Sequence, residues 1–181
     1  MNKSFLAAVL VAIFLTSCSG GDSPKGALGV TPLQNVCLDG GFWGPKMAQW
    51  ASVTANDVLD KFVKDGIFAN FDSVAAGKRD IGWHAGPPWY DGLTYESIRG
   101  ISDLLVLYPD ERLEKRLDTV ITHIIAAQDN EPTGYINTYT QLNRNDKRWG
   151  KNGGQLRWQH DVYNSGCLVE GSSGKWVDVD R

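Results

Sequence analysis

The residues with chemistry to offer are aromatic and imidazole side chains set among loops. His160 follows Trp158, and His84 follows Trp83. An imidazole donates or accepts hydrogen bonds, as a sugar hydroxyl requires. The alternative for His160 is a helix-start histidine bonded to local backbone. Trp83, Trp89, Trp149 and Trp158 lie near glycine or proline. Sugar rings present C–H faces that pack on indole, and the indole N–H can serve a hydroxyl. At least two of these four rings are expected to plug the fold as core, and Trp43 and Trp50 are expected to be core too. Tyr135, Asn137 and Tyr139 are candidates to line a sugar site, against a loop packed by its own side chains. Asp91 and Glu96 resemble a carboxylate pair, and a glycosidase pair needs carboxyls ~5–10 Å apart across a sugar. Five residues apart on a helix, they point to different faces. Asp91 is therefore expected to cap a helix starting at Gly92.

These candidates need elements to position them. Residues 28–42 read as extended. A first helix is expected from Pro45 to Lys64, with Met47, Ala51, Thr54, Val58 and Phe62 on one face, stopped by Asp65-Gly66. Residues 66–90 read as a long irregular segment, rich in glycine, proline and aromatics. A helix from Gly92 to Tyr108 carries Ile98, Ile101, Leu105 and Tyr108, and Pro109 forbids its continuation. Asp110 is then an N-cap for a helix to Gln128, with Leu113, Leu117, Val120, Ile121, Ile124 and Ile125 as its stripe. Two helices joined this closely form an antiparallel hairpin. His123 lies off that stripe and is expected to be solvated. Residues 129–158 read as irregular, and a last helix begins near Trp158. No amphipathic strand pattern is evident. The expectation is an all-α fold, an incomplete toroid of helical hairpins with long aromatic loops, whose apolar faces want more partners than the chain supplies.

The first seventeen residues read as a targeting segment, with Lys3 before an apolar run from Phe5 to Leu15. That run is too short to span a bilayer, which takes ~20 apolar residues. Leu15-Thr16-Ser17-Cys18 resembles a bacterial lipoprotein signal, in which Cys18 is the lipid attachment site. Residues 18–29 then form a flexible tether. This implies a membrane partner through the anchor and a place in the bacterial cell envelope, on the outer-membrane or periplasmic face. Cys37 and Cys167 remain. A disulfide between them is possible in that compartment, and two separate semi-buried thiols is the favoured reading. No C-x-x-C or H-x-x-x-H spacing exists, so no metal site is expected in this chain. Cys167, on a helix beside Leu168 and Val169, is not offered as a nucleophile. Net charge is -3 in 181 residues with no basic stripe, which argues against a nucleic-acid partner.

Five ordered stretches resemble one family. They are Gly41-Phe42-Trp43-Gly44-Pro45, Asn70-Phe71 through Gly77, and Pro87-Pro88-Trp89-Tyr90-Asp91-Gly92 leading to Tyr95-Glu96. Ala126-Ala127-Gln128 leading to Gly134 through Tyr139 comes next, and Arg157 through Gly166 with Leu168-Val169-Glu170 is last. The chain resembles the β-L-arabinofuranosidase-like glycoside hydrolases of family 127 from about Val36 to Glu170. The resemblance implies an (α/α)6 toroid, with residues 30–170 forming the N-terminal part of its catalytic domain; residues 171–181, opening on Gly171-Ser172-Ser173-Gly174, read as an aberrant tail that breaks the last helix. It implies release of L-arabinofuranose from arabinose-containing plant oligosaccharides or polysaccharides. It also implies zinc in the full-length family, beside a cysteine nucleophile and a glutamate acid/base, all from segments C-terminal to this stretch. By that resemblance the chain carries no catalytic residue and no zinc ligand, and is inactive at this length. His160 matches a sugar-contacting histidine. Asp161 stands where many members have Glu, and Cys167 where many have His, which marks a divergent branch. The substrate-binding candidates are therefore His160, Trp89, Trp158, Tyr135, Asn137 and His84. A non-catalytic, glycan-binding surface lipoprotein is the alternative. An (α/α)6 family acting on unsaturated uronates needs basic uronate-binding groups that are not evident.

Overall fold

The computed structural model describes residues 29–38 and 40–172. The targeting segment, most of the tether with Cys18, and residues 173–181 lie outside the described residues. The chain divides into two units, residues 1–31 and 32–181. Every helix described here belongs to the second. A 3-10 turn, Leu33–Asn35, stands in the stretch expected to be extended.

Helix α1 spans Trp43–Gln49, a π turn follows over Trp50–Thr54, and α2 spans Ala55–Asp65. The backbone runs through all three without leaving helical geometry, as the single expected helix requires. The core takes Ala51, Ala55, Leu59 and Phe62; of the expected face, Val58 is half-buried against that core and Thr54 is exposed. Trp43 and Trp50 correct another expectation. They are 57% and 39% exposed and pack on each other, with ring centroids 6.3 Å apart.

Gly66 stands at φ 79°, a left-handed conformation that glycine adopts without steric cost. It ends α2 and at once starts α3, Ile67–Ala75, inside the segment expected to be irregular. Helix α4 spans Tyr90–Leu107 and α5 spans Glu111–Asp129. Asp110 caps α5 as its position foretold, accepting from the amides of Arg112 and Leu113 at 2.8 and 3.1 Å. The region 129–158 contains α6 (Thr138–Asn143), a 3-10 stretch (Asn145–Gly150) and α7 (Leu156–Gln159). Helix α8, Asp161–Ser172, runs two residues past Glu170 through the buried Gly171.

The helices form two layers of opposite direction. Phe68 and Asp72 of α3 meet His123 of α5, and Val74 and Ala75 meet Asn130 just beyond it, so α3 and α5 run parallel. In the other layer Gly92, Glu96 and Arg99 of α4 meet Asn164, Cys167 and Glu170 of α8, again in parallel. The tight turn at Tyr108–Asp110 reverses the chain between layers, as in an α-hairpin. The core lies between them, with Ile67, Phe71, Tyr95, Leu113, Leu117, Ile124 and Leu142 nearly or wholly removed from water. His123 is not merely solvated. Its Nδ1 meets Asp72 Oδ1, and its ring stacks on Phe68 with centroids 5.4 Å apart. Among the described residues there is no strand, and no helix is long and apolar enough to cross a membrane.

Candidate functional site

Helix α7 ends where His160 takes φ 59°, ψ 24°, and this left-handed residue turns the chain into α8. Its Nδ1 lies 3.0 Å from the carbonyl of Trp158. A carbonyl only accepts, so Nδ1 carries the hydrogen and Nε2 is left as an acceptor. The Trp89 and Tyr163 rings both pack on the imidazole, with centroids 5.4 and 5.9 Å away. Trp89 and Tyr163 are 42% and 44% exposed. Asn164 ties the row together. Its Oδ1 accepts from the Gly92 amide at 3.1 Å, and its Nδ2 donates to the Pro88 carbonyl at 3.0 Å. A Cβ on Gly92 would stand 2.6 Å from the Tyr163 ring and 2.8 Å from Asn164 Oδ1, so a glycine is what lets α4 approach α8 here. Trp158 is exposed, with the Arg157 guanidinium over its ring.

Beneath the loop that carries Trp89 lies a buried polar relay. Asp91 is fully buried in the first turn of α4 and caps nothing, which corrects the expectation from sequence; that helix starts at Tyr90 with no side-chain cap. Asp91 Oδ2 accepts from the Thr138 amide at 2.6 Å, and Oδ1 lies 2.6 Å from Thr138 Oγ1. Thr138 Oγ1 is also 2.9 Å from His84 Nε2. His84 Nδ1 donates to the Gly86 carbonyl at 3.0 Å, so Nε2 must accept. One threonine hydrogen cannot serve both neighbours. Both contacts close if Asp91 is protonated and donates to Oγ1 while Oγ1 donates to His84. Electrostatics agree in direction. Burial pushes the Asp91 carboxyl up against the pull of His84 and Thr138, and burial pushes the His84 imidazole down against Asp91. Asn70 flanks the set: its Nδ2 donates to the Ala85 carbonyl at 3.0 Å and lies 3.1 Å from His84 Nε2.

A second buried network holds the loop before α6. The Tyr135 hydroxyl donates to Asp161, and Asn137 Nδ2 donates to the Gln159 carbonyl at 2.8 Å. Burial pushes the Asp161 carboxyl up, opposed by the bonds from Tyr135 and Asn137. Arg148 lies 4.6 Å over the Tyr135 ring and pairs with Glu131 at 2.7 Å. Glu131 Oε2 also accepts from Gln141 at 3.4 Å and meets Arg79 at 3.5 Å. The Arg148 bond is the main reason that the Glu131 carboxyl falls to about 2.

The sequence candidates thus separate. His160, Trp89 and Trp158 gather at one exposed end, joined by Tyr163, which sequence reading did not single out. The spacing His160-x-x-Tyr163 at a helix start was the available signal. Tyr135 and Asn137 are buried and committed to internal bonds, and both nitrogens of half-buried His84 are engaged. None of Trp83, Trp89, Trp149 and Trp158 plugs the core; each is at least 42% exposed. Cys37 is an exposed thiol and Cys167 a buried one, and both are free. Among the described residues no three His, Cys, Asp or Glu side chains come together as a metal site.

The profile of the β-L-arabinofuranosidase, GH127 catalytic domain matches residues 35–177. The chain belongs to this family. A solved GH127 β-arabinofuranosidase superposes on it with a TM-score of 0.70 at 27% identity, over 83% of this chain. The match covers 24% of that protein, so this chain spans about a quarter of its length. No curated protein matches the chain. GH127 membership agrees with the two-layered helical architecture and makes this chain a glycoside hydrolase relative. The Trp89–His160–Tyr163 row lies within the matched residues.

Proposed function

We propose that this chain supplies a sugar-contacting face of a GH127 catalytic domain that acts on L-arabinofuranose-bearing plant glycans. The observation that carries the reading is the Trp89–His160–Tyr163 row, a half-buried imidazole between two exposed rings. Its flat rings offer C–H packing, and a fixed imidazole offers a free Nε2 acceptor. A furanose hydroxyl donates to Nε2 while the ring face lies on Trp89. In this reading the zinc ion, the cysteine nucleophile and the glutamate acid/base of the family belong to parts of the domain outside the matched residues. The family's zinc would lower the pKa of a thiolate nucleophile; this chain's own residues bind and orient the sugar. The chain by itself therefore binds without cleaving, and Cys18 holds it to the envelope membrane by a lipid.

The test uses p-nitrophenyl β-L-arabinofuranoside. The 181-residue chain is expected to bind the aryl arabinoside in ligand-observed NMR but release no p-nitrophenol above the blank. Trp89→Ala is expected to weaken binding about tenfold, the loss of a stacking ring. Efficient turnover sinks the claim of inactivity, and wild-type binding by Trp89→Ala sinks the assignment of the face.

A non-catalytic glycan-binding lipoprotein is the second reading. It is favoured by one feature: the buried carboxyls of Asp91 and Asp161 are both spent on internal bonds. It expects a cooperative melting transition and calorimetric sugar binding, where an aggregating or molten chain speaks against it.

A further inference from the structure

Next to the His160 row lies an acceptor that the sugar reading leaves unused. Glu96 projects from α4 on the exposed side, about a turn and a half from the buried Asp91. The Tyr163 hydroxyl donates to Glu96 Oε1 at 3.3 Å, and the Cys167 thiol reaches the same oxygen at 3.5 Å. Both partners come from α8, the helix that also carries His160 at its entrance. The close approach permitted by Gly92 brings the Tyr163 ring against α4. Two donors on Oε1 fix the carboxylate and leave Oε2 as an open acceptor. The nearby cation Arg99 is spent on Glu170. Indole, imidazole, phenol and carboxylate thus follow one another by contact, Trp89 on His160, His160 on Tyr163 and Tyr163 on Glu96.

We infer that Glu96 is a specificity-determining residue of this face, which accepts hydroxyl hydrogens from a neutral sugar and rejects a uronate. The inference rests on the sugar-binding reading above. Its physics is a difference between two ligands. A neutral glycoside offers O–H donors to Oε2, and a bond to a charged acceptor is stronger than a neutral one. A sugar carboxylate in the same place meets like charge, and leaves an acceptor facing an acceptor. Tyr163 is a positioning residue: it acts through Glu96 by holding Oε1.

The experiment compares methyl β-L-arabinofuranoside with methyl α-D-galacturonate by ligand-observed NMR on the full chain. Its variants are Glu96→Gln, Tyr163→Phe and Trp89→Ala, with melting curves confirming the fold of each. The wild-type chain is expected to bind the neutral sugar and to exclude the uronate. Glu96→Gln is expected to weaken the neutral sugar about fivefold and to narrow the preference about tenfold. Tyr163→Phe keeps the ring and is expected to narrow the preference by less, in the same direction. If Glu96→Gln changes neither ligand while Trp89→Ala abolishes binding, the role of Glu96 is overturned and the sugar face stands. If no ligand binds in a way that depends on Trp89, the face and this inference fall together.

Discussion

Asp91→Ala is expected to cost about 3 kcal/mol of stability, while Asp91→Asn costs less than about 1 kcal/mol. Alanine leaves the fully buried Thr138 amide without its acceptor and leaves Thr138 Oγ1 only His84. Asparagine copies the protonated acid. Its Oδ1 accepts from the Thr138 amide and its Nδ2 donates to Thr138 Oγ1, so the relay to His84 survives. Urea unfolding of the three chains reads the difference. The pH dependence has a definite sign. The folded carboxyl holds its proton more tightly than the unfolded one, because burial raises it. Its contribution is complete below the ordinary aspartate range and is lost as pH rises through the raised folded value. His84 acts from the other side. Its imidazole is pushed down, so stability is present above the ordinary histidine value and is lost as pH falls below it. Asp91→Asn is expected to remove the first slope and keep the second. Equal damage from the asparagine and alanine variants would mean that Asp91 is ionised in the fold.

Glu131→Ala is expected to cost a further, independent share of about 3 kcal/mol. Its side chain is 6% exposed, and removing it strands Arg148, whose side chain is only 21% exposed. The carboxyl itself points the same way: the Arg148 bond favours its ionised form and holds it down at about 2. This group is depressed, so its contribution is present above the ordinary glutamate value and is lost as pH falls towards about 2. Glu131→Gln is expected to flatten the acid limb of stability measured between about pH 5 and 2. A Glu131→Gln chain with the wild-type acid limb refutes the assignment. The damage is also expected to be local. Hydrogen exchange in the variant should rise first across residues 131–150, the stretch that Arg148 and Tyr135 hold down.

The elements that sequence reading located best are those with a clean apolar stripe and a stop. Helices α4 and α5 begin and end within two residues of expectation, because Pro109 and Asp110 punctuate them and Leu113, Leu117 and Ile124 repeat on one face. Helix α3 was hidden for the opposite reason. It buries Ile67, Phe68, Asn70, Phe71, Ser73 and Val74, so its pattern has no alternation, and the stop at Gly66 is also a start. The site was half legible. His160, Trp89 and Trp158 follow from their types, their loops and the resemblance. Asp91 could not be assigned, since its partner Thr138 opens a helix 47 residues away. A buried carboxyl and a helix cap look alike in a one-dimensional string. Trp43 and Trp50 were misjudged because a large apolar ring enters the core only where a neighbouring element covers it.

His160 carries a bulky side chain at a backbone angle that costs an L-residue roughly 1 kcal/mol and costs glycine almost nothing. At that position selection for a sturdier turn and selection for an imidazole pull in opposite directions. Replacement by glycine or asparagine relaxes the chain and discards the ring in one step. A thermostabilising search that scores only melting would drift toward erasing the recognition surface.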